Sequence, residues 1–271
     1  MIRAIYAVVV LDLKRAWLDR IRLAVGLLQP LLYLFVLGSG LGSNSTMAAY
    51  YRPYIFPGVL GLSLLFSAVF SAITIVFDRQ VGFFKAVLVA PLPRPAIALG
   101  KITAGAIQSF VQGVIILPFA PLAHVSLSFP TFCGLIGAMM LAAMTFSAMG
   151  VSVAARFTST TVFPVVSNAL LLPMFFLSGA LYPLGGTGRW MQIAAHFDPV
   201  AYAVDLMRGA VLSTPGSPLA ASHLKPFFFP VALSVSCLVG VIAVLAWSAV
   251  RTFNRGEDDS SLGAARFNWR R

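Results

Sequence analysis

Residues 78–101 read DRQVGFFKAVLVAPLPRPAIALGK. They form a polar, proline-rich interruption between two long apolar runs, Ile55–Phe77 and Ile97–Leu117. Charges at Asp78, Arg79 and Lys85, a glycine at position 82 and prolines at 91, 93 and 95 predict a short amphipathic helix. A stiff turn and re-entry into an apolar phase follow it. A segment of this kind receives force or a signal from a partner outside the bilayer.

The surrounding composition fixes the class. Apolar residues make up 59% of the chain and charged residues 10%, where a soluble domain carries about 25% charged. An all-α integral membrane fold is expected. A helix needs about 20 apolar residues to cross a bilayer, and six runs qualify: Ala24–Gly42, Ile55–Phe77, Ile97–Leu117, Phe132–Ala155, Val162–Leu181 and Phe227–Val250. These make a six-span domain, 24–250, containing a cytoplasmic loop at 78–96. Before it, 1–23 carries Asp12, Arg15, Asp19 and Arg22 at helical spacing. That stripe predicts an amphipathic interfacial helix, with a plain topogenic basic flank as the alternative. After it comes a tail, 251–271.

Charge sets orientation. Of 19 Lys and Arg, fifteen fall in 1–23, 78–101, the 156–161 turn and the tail. Positive residues stay inside, so both termini and the 78–101 segment are expected in the cytoplasm, in a cell (plasma or inner) membrane. The formal net charge of +11 would point to nucleic acid in a soluble chain. Here the bases flank apolar runs and suit the lipid bilayer, so no nucleic-acid partner is expected. On the outer side, 182–215 holds two apolar pieces, Trp190–Ala195 and Val200–Val211, broken at Asp198-Pro199. They predict short re-entrant helices roofing the outer end, or else a folded surface loop.

Several chemistries are missing. No acidic residue lies in the middle of an expected span, which disfavours an ion-driven carrier. There is no HExxH, DxD-type or GxSxG motif, and His196 beside Asp198 reads as a local capping contact. Cys133 and Cys237 read as packing residues. The pair Gly100-Lys101 has Pro95 where a phosphate loop needs its first glycine and Ile102 where it needs Ser or Thr. Catalytic, metal and cofactor residues are therefore not expected, and energy for transport must come from another subunit.

Two segments resemble a known family: DRQVGFFKAVLVAPLPRPAIALGK and, at 175–209, FFLSGALYPLGGTGRWMQIAAHFDPVAYAVDLMRG. They are similar to the membrane subunits of type-2 ATP-binding-cassette exporters, the group of drug, lipid and polysaccharide export permeases. The likeness covers nearly the whole chain. Two positions depart from it: Gln80 stands where many relatives have Glu, and Phe83 where they have Thr or Ser.

The resemblance implies roles. Asp78–Leu92 would be a coupling helix seated in a groove of a cytoplasmic ATPase. Asp78 would sit at the helix start, with Val81, Phe84 and Leu88 as the apolar contact beside Gly82. Arg79 and Lys85 would face acids of the ATPase, and Pro91 and Arg94 would lie at the stiff exit. Tyr33, Phe66, Phe70, Phe163, Phe175 and Phe176 become pathway candidates, lipid-facing packing being the alternative. Tyr182, Trp190, Asp198, Pro199 and Tyr202 become an outer gate. The family arrangement implies two ATPase copies carrying ATP and Mg, and a second permease subunit in a homodimer or close heterodimer. The expected cargo is hydrophobic or amphipathic, drug-like or lipid-like, as in antibiotic efflux. Export of a lipid-linked polysaccharide or cell-wall polymer is one alternative, and a non-transporting signalling or immunity protein is another.

Overall fold

The computed structural model describes residues 1–40, 45–81, 93–123, 125, 128–212 and 228–267, and every regular element among them is helical. Helices α1 (Ile2–Leu18) and α2 (Arg20–Gly40) are separated by a break at Asp19. Helices α3 (Ser45–Ser71) and α4 (Ile73–Gln80) form one rod interrupted at Ala72. Next come α5 (Arg94–Ile116), a 3-10 turn over Leu117–Ala123, α6 (Phe129–Ala154) and α7 (Val162–Leu177). Two short helices, α8 (Arg189–His196) and α9 (Pro199–Leu212), precede the long α10 (Val231–Phe267). Prolines open α5, α6 and α9 within their first two positions, where a missing N–H costs no intrahelical bond.

Helices α3 and α6 form the centre. Ile55, Phe56, Leu60, Leu64 and Leu65 of α3 and Leu135, Met139 and Phe146 of α6 are fully buried. Around them, α5 and α9 pack on both, α2 packs on α3, α1 lies along α5, and α10 covers α6, α5 and α9. Burial falls from 67% of the central window in Pro53–Gln80 to 11% in Val231–Phe253. The outer surface of α10 carries Val235, Val239 and Val244, which suit lipid tails. At the α3–α6 crossing, a Cβ on Gly150 would lie 2.7 Å from the Val69 Cα. The missing side chain lets the two backbones touch, the usual way apolar helices associate without a hydrophobic driving force between them.

Among the described residues, four helices are long and apolar enough to cross a membrane: Pro53–Gln80, Pro95–Ala123, Phe129–Ala154 and Val231–Phe253. They correspond to the second, third, fourth and sixth expected spans. The first and fifth are shorter among the described residues, at Ala24–Val36 and Val162–Leu177. The fifth was expected to reach Leu181, but Gly179 adopts φ +71° and takes the chain out of helical space. A Cβ there would also lie 2.5 Å from the Leu184 Cγ. Hydropathy alone does not register that stop.

Three further expectations change. The charged stripe of 1–23 does not simply face water: Asp12 and Arg15 contact the bundle, while Tyr6, Trp17 and Leu18 are exposed. The tail does not begin as a separate unit, because α10 continues unbroken past residue 250. Cys133 is exposed rather than packed, and Cys237 is half-buried.

Gly150→Leu should force α3 and α6 apart and destabilise the chain by about 1–3 kcal/mol, read as a lower thermal midpoint in detergent. Gly137→Leu serves as the control, since no atom lies within 4 Å of its built Cβ. An unchanged midpoint for the first variant would remove this crossing from the packing account.

Candidate functional site

The 78–101 segment leaves the bundle from the last turn of α4 and returns through α5. Its two roots are joined directly. Lys101 Nζ donates to Asp78 Oδ2 at 3.2 Å and to Asp12 Oδ1 at 2.9 Å. The Arg15 guanidinium reaches the Asp78 carboxylate at 3.1 and 3.3 Å. Lys101 and Asp78 are buried, and the Arg15 side chain is 38% exposed. Thr74 Oγ1 also lies 3.5 Å from Lys101 Nζ. Two acids and two bases thus fasten α1, α4 and α5 at one point. Charges removed from water are tolerated only when each has a partner.

This geometry corrects two expectations. Asp78 lies in the last turn of α4, not at a helix start facing a partner. Arg79 turns inward: it donates to the Ala155 carbonyl at 2.7 Å and lies 5.4 Å from the centre of the Phe253 ring. Val81 follows α4 and is 64% exposed. Gln80 accepts a hydrogen bond from the Thr160 hydroxyl at 2.9 Å, and Arg156 donates to Ser248 Oγ at 3.0 Å. The 156–161 turn therefore joins the same end of the bundle. Gly82, Phe84, Lys85, Leu88 and Pro91 lie outside the described residues, as does the Arg94 side chain.

At the opposite end, α9 starts as its sequence implies. Asp198 Oδ1 accepts the Val200 N–H at 2.9 Å, and Pro199 takes the first helical position. Asp198 Oδ2 is buried with no partner among the described residues. Burial pushes the Asp198 carboxyl up to about 7, with the Val200 N–H pulling the other way. The Tyr202 hydroxyl donates to the His196 carbonyl at 2.9 Å, and that of Tyr182 donates to the Phe176 carbonyl. His196 contacts the Gln192 carbonyl through Nδ1 rather than Asp198. Trp190 is exposed.

The pathway candidates separate into four groups. Phe66 and Phe70 line a cavity between α2, α3 and α5. Phe163 and Phe175 are buried in the core, and Phe176 is exposed. Tyr33 packs against the core from α2.

Residues 3–212 match the family model described as "ABC-2 type transporter". The chain belongs to this family. The match starts in α1, spans both roots of the 78–101 segment and ends with α9. The ABC-2 chain is 30% identical to Nodulation protein J of Rhizobium leguminosarum bv. trifolii over 196 residues, covering 70% of this chain and 73% of that protein. It is 27% identical to Nodulation protein J of Sinorhizobium fredii over 221 residues, 76% of this chain and 83% of that one. It is 29% identical over 216 residues to ycf38 of Porphyra purpurea, named as a transport permease, covering 77% and 74%. The ABC-2 chain is thus a transporter's membrane component, and membership implies an ATP-binding-cassette ATPase as its partner.

Sequence reading missed several of its anchoring residues. Lys101 was noticed only as half of a Gly-Lys pair, and Asp12 and Arg15 only as a surface stripe. Asp205 and Arg208 of α9 lie outside all six expected spans, yet both are buried. Arg208 donates to the Gly179 carbonyl at 2.8 Å and lies 4.0 Å from the centre of the Tyr54 ring. Asp205 accepts the N–H groups of Phe228 and Phe229 at 2.9 and 3.0 Å. The available signal was an acid and a base three residues apart inside an otherwise apolar helix.

Two outcomes follow. Lys101→Met removes the cation that contacts both acids and should destabilise the ABC-2 chain by about 3–5 kcal/mol, while Lys101→Arg loses less; unfolding in detergent reads both. For Asp198, the folded chain holds a proton between the ordinary value of 3.8 and about 7 that the unfolded chain has lost. Stability therefore falls as pH rises through that window. Asp198→Asn keeps a capping oxygen and should flatten that slope in a pH series of thermal midpoints.

Proposed function

We propose that this ABC-2 permease is the membrane subunit of an ATP-driven exporter and that residues 78–101 receive the force of nucleotide hydrolysis. The observation that carries this reading is the closed base of the segment, the Lys101–Asp78 contact of 3.2 Å reinforced by Asp12 and Arg15. A loop free at its roots would flex under load. One fastened to α1, α4 and α5 together transmits displacement to all three. Val81, Gly82, Phe84, Lys85, Leu88, Pro91 and Arg94 supply the surface offered to the ATPase, by helix-in-groove recognition. The exposed Val81 and inward Arg79 support apolar contact over charge pairing at the start of that surface.

ATP and Mg are held by the partner, two copies per transporter. On this chain Lys101 is already occupied by two carboxylates, so the Gly100-Lys101 pair does not serve as a phosphate site. A second permease subunit completes the pathway. The outward apolar residues Val25, Leu28 and Leu32 of α2 and Val162, Val165 and Phe176 of α7 provide the faces for it. The six apolar runs supply six spans, and the Lys/Arg distribution favours both termini in the cytoplasm of a cell-membrane protein. The cargo is hydrophobic or amphipathic, drug-like or lipid-like.

The test is deletion of 83–88, with membrane insertion checked by expression of the full chain. ATPase capture and stimulation of nucleotide hydrolysis should both be lost. Undiminished capture by a properly inserted deletion variant would sink the assignment of this segment.

A further inference from the structure

The cavity between α2, α3 and α5 has a volume of about 460 Å³, within the range of sites that take small molecules. Its apolar wall includes Leu62, Phe66, Phe70 and Pro30, with Phe66 and Phe70 side by side at 5.9 Å between ring centres. Its polar groups are all neutral: Gln29, Gln108, Gln112 and Ser67. Among the described residues no charged side chain lines it. Gln112 is 4% exposed, and its amide lies against the α2 backbone, where a Cβ on Gly26 would meet Nε2 at 2.5 Å. Ser67 Oγ is buried with no hydrogen-bond partner among the described residues. A buried hydroxyl without a partner is costly and marks a place where a ligand group or water is accommodated.

A second, smaller cavity of about 130 Å³ adjoins the ion cluster and is lined by Asp12, Arg15, Asp19, Lys101 and Gln108. Gln108 belongs to both cavities. It divides a charged compartment from a neutral one. Carboxamides both donate and accept, so they match hydroxyl and amide groups. An ion in the larger cavity would lose its hydration without gaining a counter-charge.

We propose that the larger cavity binds an amphiphile with an uncharged, hydroxyl- or amide-bearing head and an apolar tail. The head lies among Gln108, Gln112 and Ser67, and the tail lies on Phe66 and Phe70. This deepens the reading of the chain as a permease for amphipathic cargo and rests on that reading for the site's part in transport.

The experiment uses the full chain in nanodiscs of zwitterionic phospholipid, without any ATPase. The probe is a monoacylglycerol with a photoreactive diazirine in its chain. The comparator is the fatty acid bearing the same chain, and adducts are mapped by mass spectrometry of peptides. The monoacylglycerol should label α2, α3 and α5 around the cavity saturably, with unlabelled monoacylglycerol competing. The fatty acid should label there about tenfold less. Gln112→Leu should cut the neutral probe's cavity labelling about fivefold. Should that variant fail to fold, Ser67→Leu, which fills the space, should block labelling instead. Equal labelling by both probes, labelling spread evenly over lipid-facing helices, or exclusion of the probe by a second copy of the chain would each overturn the proposal. Because the ATPase is absent, failure here leaves the coupling assignment standing, and loss of ATPase capture would leave a positive result here intact.

Discussion

Two carboxylates and two cations meet where α1, α4 and α5 converge, and the arrangement of that end of the molecule depends on their staying together. Lys101 is 8% exposed and touches both acids. In a low-dielectric setting, losing Lys101 takes a counter-charge from both acids at once. The quartet ties α1 to the bundle. It also closes the base of the 78–101 segment. Loop and amphipathic helix, distant in sequence, become one mechanical unit.

The other end is fastened by different chemistry. Arg208 has a backbone carbonyl and an aromatic face for partners, the Gly179 oxygen and the Tyr54 ring. Asp205 takes two backbone N–H groups just before α10. Each charge is therefore met mainly by dipoles. The Gly179 carbonyl, which also accepts the Tyr54 hydroxyl at 3.3 Å, is available because its residue leaves the helix. Between the two ends, α3 and α6 rely on close apolar packing. Polar cost is thus concentrated at the ends, and the larger cavity lies between α2, α3 and α5 rather than in the α3–α6 contact.

How much of this was legible in the sequence depends on the range of the cause. Local causes were read well. Apolar runs placed four long helices, and Asp198-Pro199 placed the break between α8 and α9 because capping and the fixed proline φ act within three residues. The end of α7 was misplaced, because a single glycine at positive φ leaves no trace in hydropathy. The site was half visible. The 78–101 segment stands out by composition, and two of the pathway candidates, Phe66 and Phe70, line the larger cavity. Partners were not visible, since Arg15 and Asp78 are 63 residues apart and Asp12 and Lys101 are 89 apart. A stripe on one helix does not say what faces it, so Asp12 and Arg15 read as surface charge and Arg79 as a docking group.

The break at Ala72 links these parts. Above it, Phe66, Ser67 and Phe70 line the neutral cavity; below it, Thr74 and Asp78 contact the ion cluster. Ala72 itself makes a short turn, donating to the Val69 carbonyl at 3.1 Å, while Ser71 Oγ bonds back to the Ala68 carbonyl at 2.7 Å. An unbroken helix would carry any motion of α4 rigidly through the full length of α3, against the close contact at Gly150. A break just beyond the cavity wall lets α4 reorient with the quartet while α3 keeps its packing on α6. On the proposed reading, a push on 78–101 is then felt first at Ile73 and Phe70, the cavity residues nearest the break.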